Sequence, residues 1–228
     1  MTARRALVVR GGWEGHYPVA ASELFLPHLR ESGFDVAVED SLEVYADASV
    51  MDGIDLIVQC WTMGEILADE MHGLRVAVES GAGLAGWHGG ILDAFRGATD
   101  FQHIVGGQFV AHPGDTVAHE IVVRPERADH PVVAGLGPRI PLTSEQYWVQ
   151  TDPLCDVLAT TTHQPGPDTP WREPVTMPAV WTRRWGEGRV FACSAGHSLD
   201  DLRIPEIRAL ISRGLVWAAR PGSDDEIS

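Results

Sequence analysis

A chain of 228 residues is long enough for one sizeable hydrophobic core and short for two. Its 44% hydrophobic and 21% charged residues are ordinary for a water-facing globular protein, and no apolar run reaches the length of a membrane span. The formal net charge of −15 repels nucleic acid and anionic membranes, so neither is an expected partner.

Met1 to Arg10 leads straight into a short apolar strand, without the long apolar stretch and small-residue cleavage site of a signal peptide. Ala6 to Val9 reads as a buried first strand ended by Gly11-Gly12. A helical stretch from Val19 to Glu31 follows, with Pro27 implying a late start or a kink and Gly33 a stop. Phe34 to Val38 and Ile54 to Val58 read as strands two and three. Glu65 to Ser80 reads as a helix, Leu84 to Trp87 as strand four, and a further helix begins near Ile91. Strands alternating with helices at this spacing predict βαβ units, hence an α/β fold with a mostly parallel central sheet flanked by helices.

The second half is less regular. Val117 to Val123 reads as a strand and a candidate for antiparallel pairing. Pro165, Pro167, Pro170, Pro174 and Pro178 mark a long loop, a feature that in compact domains is often functional. Ala179 to Arg183 and Arg189 to Cys193 read as a hairpin turning at Gly186 and Gly188, and Pro205 to Ala219 as a closing helix. Residues 1–220 are expected to form one domain, followed by a flexible acidic tail over 221–228. Cys60, Cys155 and Cys193 are too widely spaced for a disulfide framework or a zinc knuckle, which fits a cytoplasmic, reducing compartment. The eight tryptophans are expected mainly in the core or between copies of the chain, so a homo-oligomer is expected.

In open α/β sheets, ligands bind outside the carboxyl ends of the strands. Strand one is followed there by Trp13 and His16, strand three by Trp61, strand four by His88, and the last strand by His197. Three histidines and two tryptophans thus converge on one edge from four strands. Two chemistries are open to them. Imidazoles of near-neutral pKa exchange protons, and neutral imidazoles bind zinc. Neither is decided by spacing, because no His-x-x-x-His pair is present. His112, in Gly106-Gly107-Gln108-Phe109-Val110-Ala111-His112, adds a fourth imidazole, and Glu145 with Tyr147 adds a carboxylate beside an aromatic hydroxyl.

Other motifs are weaker. Gly11-Gly12-Trp13-Glu14-Gly15 departs from the dinucleotide Gly-x-Gly-x-x-Gly pattern. Ala192-Cys193-Ser194-Ala195-Gly196 lacks the first glycine of a serine nucleophile elbow, and the residues after it do not begin an obvious helix. Cys60 and Cys193 lie on apolar strands and read as buried packing.

Gly86-Trp87-His88-Gly89-Gly90, the segment from Gly106 to Pro113, Asp129-His130-Pro131 with Gly135-Leu136, Ser144-Glu145-Gln146-Tyr147, and Gly188 to Phe191 with Gly196-His197 occur in one order. In that order, over roughly residues 5 to 219, they resemble the ThuA-like (trehalose utilisation) family. The resemblance implies a flavodoxin-like fold related to class I glutamine amidotransferases and a role in the breakdown of trehalose, related disaccharides or keto-sugars. The elbow that carries the amidotransferase cysteine holds His88 here, so no thioester route is expected. The family's Asp-Glu-x-Tyr reads Ser144-Glu145-Gln146-Tyr147, which leaves the aspartate's role unfilled.

The expected ligand is a small sugar or keto-sugar. As an enzyme, the chain would use His88, Glu145 and His197 for proton transfer. Trp13, Trp61, His16, His112 and Tyr147 would contact ligand, and His16, His88 and His197 would hold zinc if a metal is used. The alternative is a non-catalytic sugar-binding or partner subunit with the same pocket.

Overall fold

The computed structural model describes residues 3–221, so most of the expected acidic tail lies outside the described residues. Strand β1 (Arg4–Gly12) leads through a short turn at Glu14–His16 to α1 (Pro18–Glu23) and α2 (Leu26–Glu31). The helical stretch is thus broken in two, with Pro27 in the first turn of α2, where its missing N–H has no helical acceptor to lose. Next come β2 (Phe34–Glu39), a turn over Leu42–Ala46, α3 (Ala48–Met51), β3 (Leu56–Thr62), α4 (Ala68–Glu79), β4 (Gly83–Trp87), α5 (Gly89–Leu92) and α6 (Thr99–Val105).

The later chain is mostly strand: β5 (Gly107–Ala111), β6 (Thr116–Val123), β7 (Arg139–Glu145), β8 (Trp148–Thr151), β9 (Asp156–His163), β10 (Val175–Trp185) and β11 (Gly188–Cys193). It closes with α7 (Leu199–Arg203) and α8 (Pro205–Ala218). Among the described residues no helix is long and apolar enough to cross a membrane.

Nine strands form one sheet in the order β2-β1-β3-β4-β11-β10-β9-β6-β7, and β5 pairs with β8 beside it. Parallel pairing holds from β2 to β11. From β11 onward every pairing is antiparallel. The sheet is therefore mixed. The βαβ periodicity describes its first half, and the second half is an antiparallel extension of hairpins and returns.

The first half reads as near-continuous apolar runs because both faces are covered. Ala6 and Val8 enter a core with Leu29, Leu210 and Leu215, while Leu7 and Val9 enter a second core with Leu74, Val78 and Ile104. In β6 only Ile121 and Val123 are fully buried, the pattern of a strand with one covered face. Pro178, expected in the loop, lies inside β10. The register slips between Pro178 and Val180, and this bulge accommodates a residue that cannot donate to the ladder. The loop therefore spans 164–174.

Candidate functional site

His88 sits at the turn from β4 into α5 with φ 47° and ψ −140°, a backbone conformation that costs a non-glycine residue free energy. Flanking glycines make so tight a turn possible. A Cβ on Gly86 would lie 2.5 Å from the Gln59 carbonyl oxygen, and one on Gly90 would lie 3.0 Å from Cys60 Cα. The turn presents His88 at the carboxyl edge of the sheet, against β11. Its N–H donates to the Cys193 carbonyl at 2.6 Å, and Nδ1 donates to the Ser194 carbonyl at 2.8 Å. Tyr147 stacks on the ring at 3.9 Å, and only 1% of His88 is exposed.

These contacts constrain the ring's protons. A carbonyl oxygen only accepts, so Nδ1 carries hydrogen and Nε2 of the neutral ring is left with its lone pair. Nε2 faces Glu145 Oε2 at 3.1 Å, and a carboxylate also only accepts. The contact is favourable only with a second ring proton or another cation at that point. Burial lowers the His88 pKa, opposed by Glu145 and the Ser194 carbonyl.

Glu145 ends β7 and meets two more imidazoles. His197 Nδ1 lies 3.3 Å from the same oxygen Oε2, is buried, and makes no well-aligned hydrogen bond. His112 Nε2 lies 3.8 Å from Oε1 at the rim. Burial pushes the Glu145 pKa up, but His197 and His88 together outweigh it and hold the carboxyl below its ordinary range. Glu145 in turn raises the His197 pKa against the effect of burial.

His16 completes the cluster. Its Nδ1 lies 3.0 Å from the Thr62 hydroxyl, and its ring meets those of His88 and His197 edge-on at 4.7 and 5.3 Å. Burial, with His88 and His197 nearby, pushes its pKa down to about 3, so it is neutral at any ordinary pH. His16, His88, Glu145 and His197 each offer one ligand atom, and these atoms all lie within 4.8 Å of one another. Three neutral imidazoles and a carboxylate are a donor set suited to zinc. The Nδ1–H of His88 on a backbone carbonyl is the outer contact that orients such ligands.

Trp13 flanks the site, 47% exposed and edge-on to His16 at 4.8 Å. Trp61 is not brought there. Its ring lies against Gly11 and Gly64, and it packs on the second core, away from the side of β3 that carries Cys60 and Thr62. The fold adds the Thr62 hydroxyl, the Ser194 carbonyl and the Asp201 carboxylate to the residues expected from the sequence. Asp201 accepts from the Ser144 hydroxyl at 2.6 Å and from the Ser198 N–H at 3.1 Å, and Ser198 caps α7 in return. Ser198-x-x-Asp201 is a capping box, the signal that a helix does begin directly after His197. Cys60 and Cys193 are buried, and burial pushes both thiols up to about 12. Neither occupies the elbow.

The sequence pattern of the ThuA family, described as trehalose utilisation, matches residues 5–218. The chain belongs to the ThuA family. Its fold is similar to that of a ThuA-like protein from Bacteroides uniformis at 16% identity and TM-score 0.74, over 94% of this chain and 91% of that one. A ThuA-like protein from Parabacteroides merdae is similar at 18% identity and TM-score 0.71, over 95% and 90%. The fold also matches part of a β-galactosidase from Bacillus circulans at 12% identity and TM-score 0.57, over 95% of this chain and 30% of that one. At these identities the likeness is one of fold. No curated protein matches the chain.

Proposed function

We propose that this ThuA-family chain is an enzyme of disaccharide or keto-sugar breakdown, with a zinc centre held by His16, His88, His197 and Glu145. The observation that carries this reading is the contact between His88 Nε2 and Glu145 Oε2. Two acceptors face each other at 3.1 Å because the Ser194 carbonyl holds the ring's proton on Nδ1. A cation shared between them removes the conflict, while burial works against a proton doing so. Bound zinc supplies Lewis acidity toward a substrate oxygen.

The chain's own residues do the rest. His112, at the rim, orients a sugar hydroxyl. Trp13 offers an exposed ring to a sugar's C–H face. Tyr147 stacks on His88 and fixes its ring. The strand order β2-β1-β3-β4-β11 supports placing the parallel half among flavodoxin-like sheets related to class I amidotransferases, used here without the thiolate.

The pairing of His197 with Glu145 supports a second reading, metal-free acid–base catalysis, because it raises the imidazole's pKa and so favours its protonated form. Metal analysis of protein purified without an affinity tag separates the two. The zinc reading expects about one equivalent, lost together with thermal stability in His88→Ala and His197→Ala. Metal-free protein whose turnover of a keto-disaccharide falls in those variants supports the proton reading. Sugar binding without turnover in any metal state makes the chain a binding subunit.

A further inference from the structure

Beside the histidine cluster lies a larger space that the proposed zinc chemistry leaves unexplained. Strands β6 and β9 pair only through Val122 with Thr160 and Val123 with Ala159. Beyond that point they splay, β6 running back to Thr116 and β9 on to His163. The opening between them is a cavity of about 680 Å³, within the range of small-molecule sites. Its wall includes Pro113 and Gly114, which directly follow His112, and Gln146, which lies between Glu145 and Tyr147. The cavity wall thus begins one residue along the chain from His112 and from Glu145.

Its lining is mixed polar and apolar and carries little net charge. Glu120 and Arg139 neutralise each other in an ion pair at 2.6 Å. Burial lowers the pKa of both His119 and His163, which favours their neutral forms. A phosphate or carboxylate ligand would find no unpaired cation there. An uncharged ligand rich in hydroxyls would find two imidazoles, two amides and threonine hydroxyls.

The loop over 164–174 adds an aromatic side. Thr169 accepts from the Gly166 N–H at 2.9 Å and orders the turn that carries Trp171. Trp171 packs on Trp148 at 5.0 Å and on His163 at 6.4 Å. Its indole Nε1 is buried and has no hydrogen-bond partner.

We propose that this cavity is a second carbohydrate subsite, holding the sugar ring of a disaccharide that does not sit at the histidine cluster. The inference rests on the sugar reading above and gives it a substrate size. A neutral pyranose matches a lining of paired charges, neutral imidazoles and a tryptophan.

The test measures binding of trehalose and of glucose by calorimetry on the wild-type protein, Trp171→Phe and Trp171→Ala. The wild type should prefer trehalose to glucose by at least about tenfold, since a disaccharide fills both positions. Trp171→Phe keeps an aromatic ring of smaller face, and should weaken trehalose by less than Trp171→Ala does. Trp171→Ala should abolish the preference, with glucose affinity and bound zinc unchanged. Trehalose affinity that is unchanged in both folded variants overturns the subsite and leaves the sugar reading intact. A wild type that binds neither sugar overturns both.

Discussion

In the parallel half of the sheet, the central histidine leans on backbone. His16 and His88 each follow a strand, and His88 is tied to two carbonyls at the end of the neighbouring strand β11, those of Cys193 and Ser194. The antiparallel half holds its contribution through side chains. Glu145 ends β7 next to Ser144, whose hydroxyl reaches Asp201, and Asp201 also ties down Ser198 beside His197. Strand β11 belongs to the parallel ladder on one side and the antiparallel one on the other. A shared ladder sets the register of the first group, whereas bringing β7 to β4 across the sheet requires a polar link that packing alone does not supply.

His88→Ala is expected to break the site most. It deletes a ring that is 1% exposed and leaves the Ser194 carbonyl without its donor. Stability in urea should fall by about 2–4 kcal/mol, with loss of bound zinc by elemental analysis. Unchanged metal content would refute the assignment of His88 as a ligand.

Gly89→Ala tests the backbone side of the comparison without touching a ligand. The added Cβ would lie 2.4 Å from His16 Cε1 and 3.1 Å from Thr62 Cγ2. Displacement of His16 should weaken zinc by about tenfold or more, roughly the loss of one good ligand contact. A competition titration with a chelator measures it, and wild-type affinity would mean that His16 is not part of the centre.

Ser144→Ala tests the side-chain link. It removes one donor from the buried Asp201 carboxylate and should cost about 1–3 kcal/mol. Because the link also aligns Glu145 with His197, the raised pKa of His197 should fall toward its ordinary value. Proton NMR titration of the metal-free protein reads this directly. Glu145→Gln should lower it further, and a His197 pKa indifferent to both changes would separate Glu145 from His197.

Acid titration of metal-free protein tests both halves together. The folded pKa of His16 lies near 3, below its unfolded value of about 6.5, so between those values the unfolded chain binds more protons and stability falls with pH. Glu145, also depressed, contributes stability that is lost as pH falls through its folded pKa. His197 acts in the opposite sense, stabilising below its unfolded pKa and losing that contribution as pH rises through its raised folded value. Urea midpoints should therefore decline below about pH 6.5, with a shallower slope in His16→Gln. An identical slope in that variant would contradict the buried, neutral state of His16. The smallest effect on the site is expected from Cys60→Ala with Cys193→Ala, which should cost some packing stability while zinc content and ligand affinity stay at wild-type levels.

The strands of the parallel half were legible because both of their faces are buried, which leaves runs such as Ala6 to Val9 in the sequence. Much of the other half was not. Strands β7, β8 and β9 have polar positions open to solvent or to the cavity, and Pro178 inside β10 imitates a loop signal that only a bulge makes compatible with a strand. Trp61 was placed at the ligand edge because it follows the run Ile54 to Val58, but it lies inside β3, where strand alternation turns it to the face opposite Cys60 and Thr62. Periodicity reveals that two faces exist without saying which one meets the site.

The sequence by itself determined the family, the order of the βαβ units and the histidines that follow their strands, since apolar runs and glycine turns are local properties. Only the tertiary structure decided which nitrogen of His88 holds a proton, that Asp201 joins Ser144 to Ser198, and that β6 and β9 part to leave a cavity. Each of these depends on contacts between segments distant in the chain, such as the 106 positions separating His88 from Ser194, and no local pattern encodes where such segments meet.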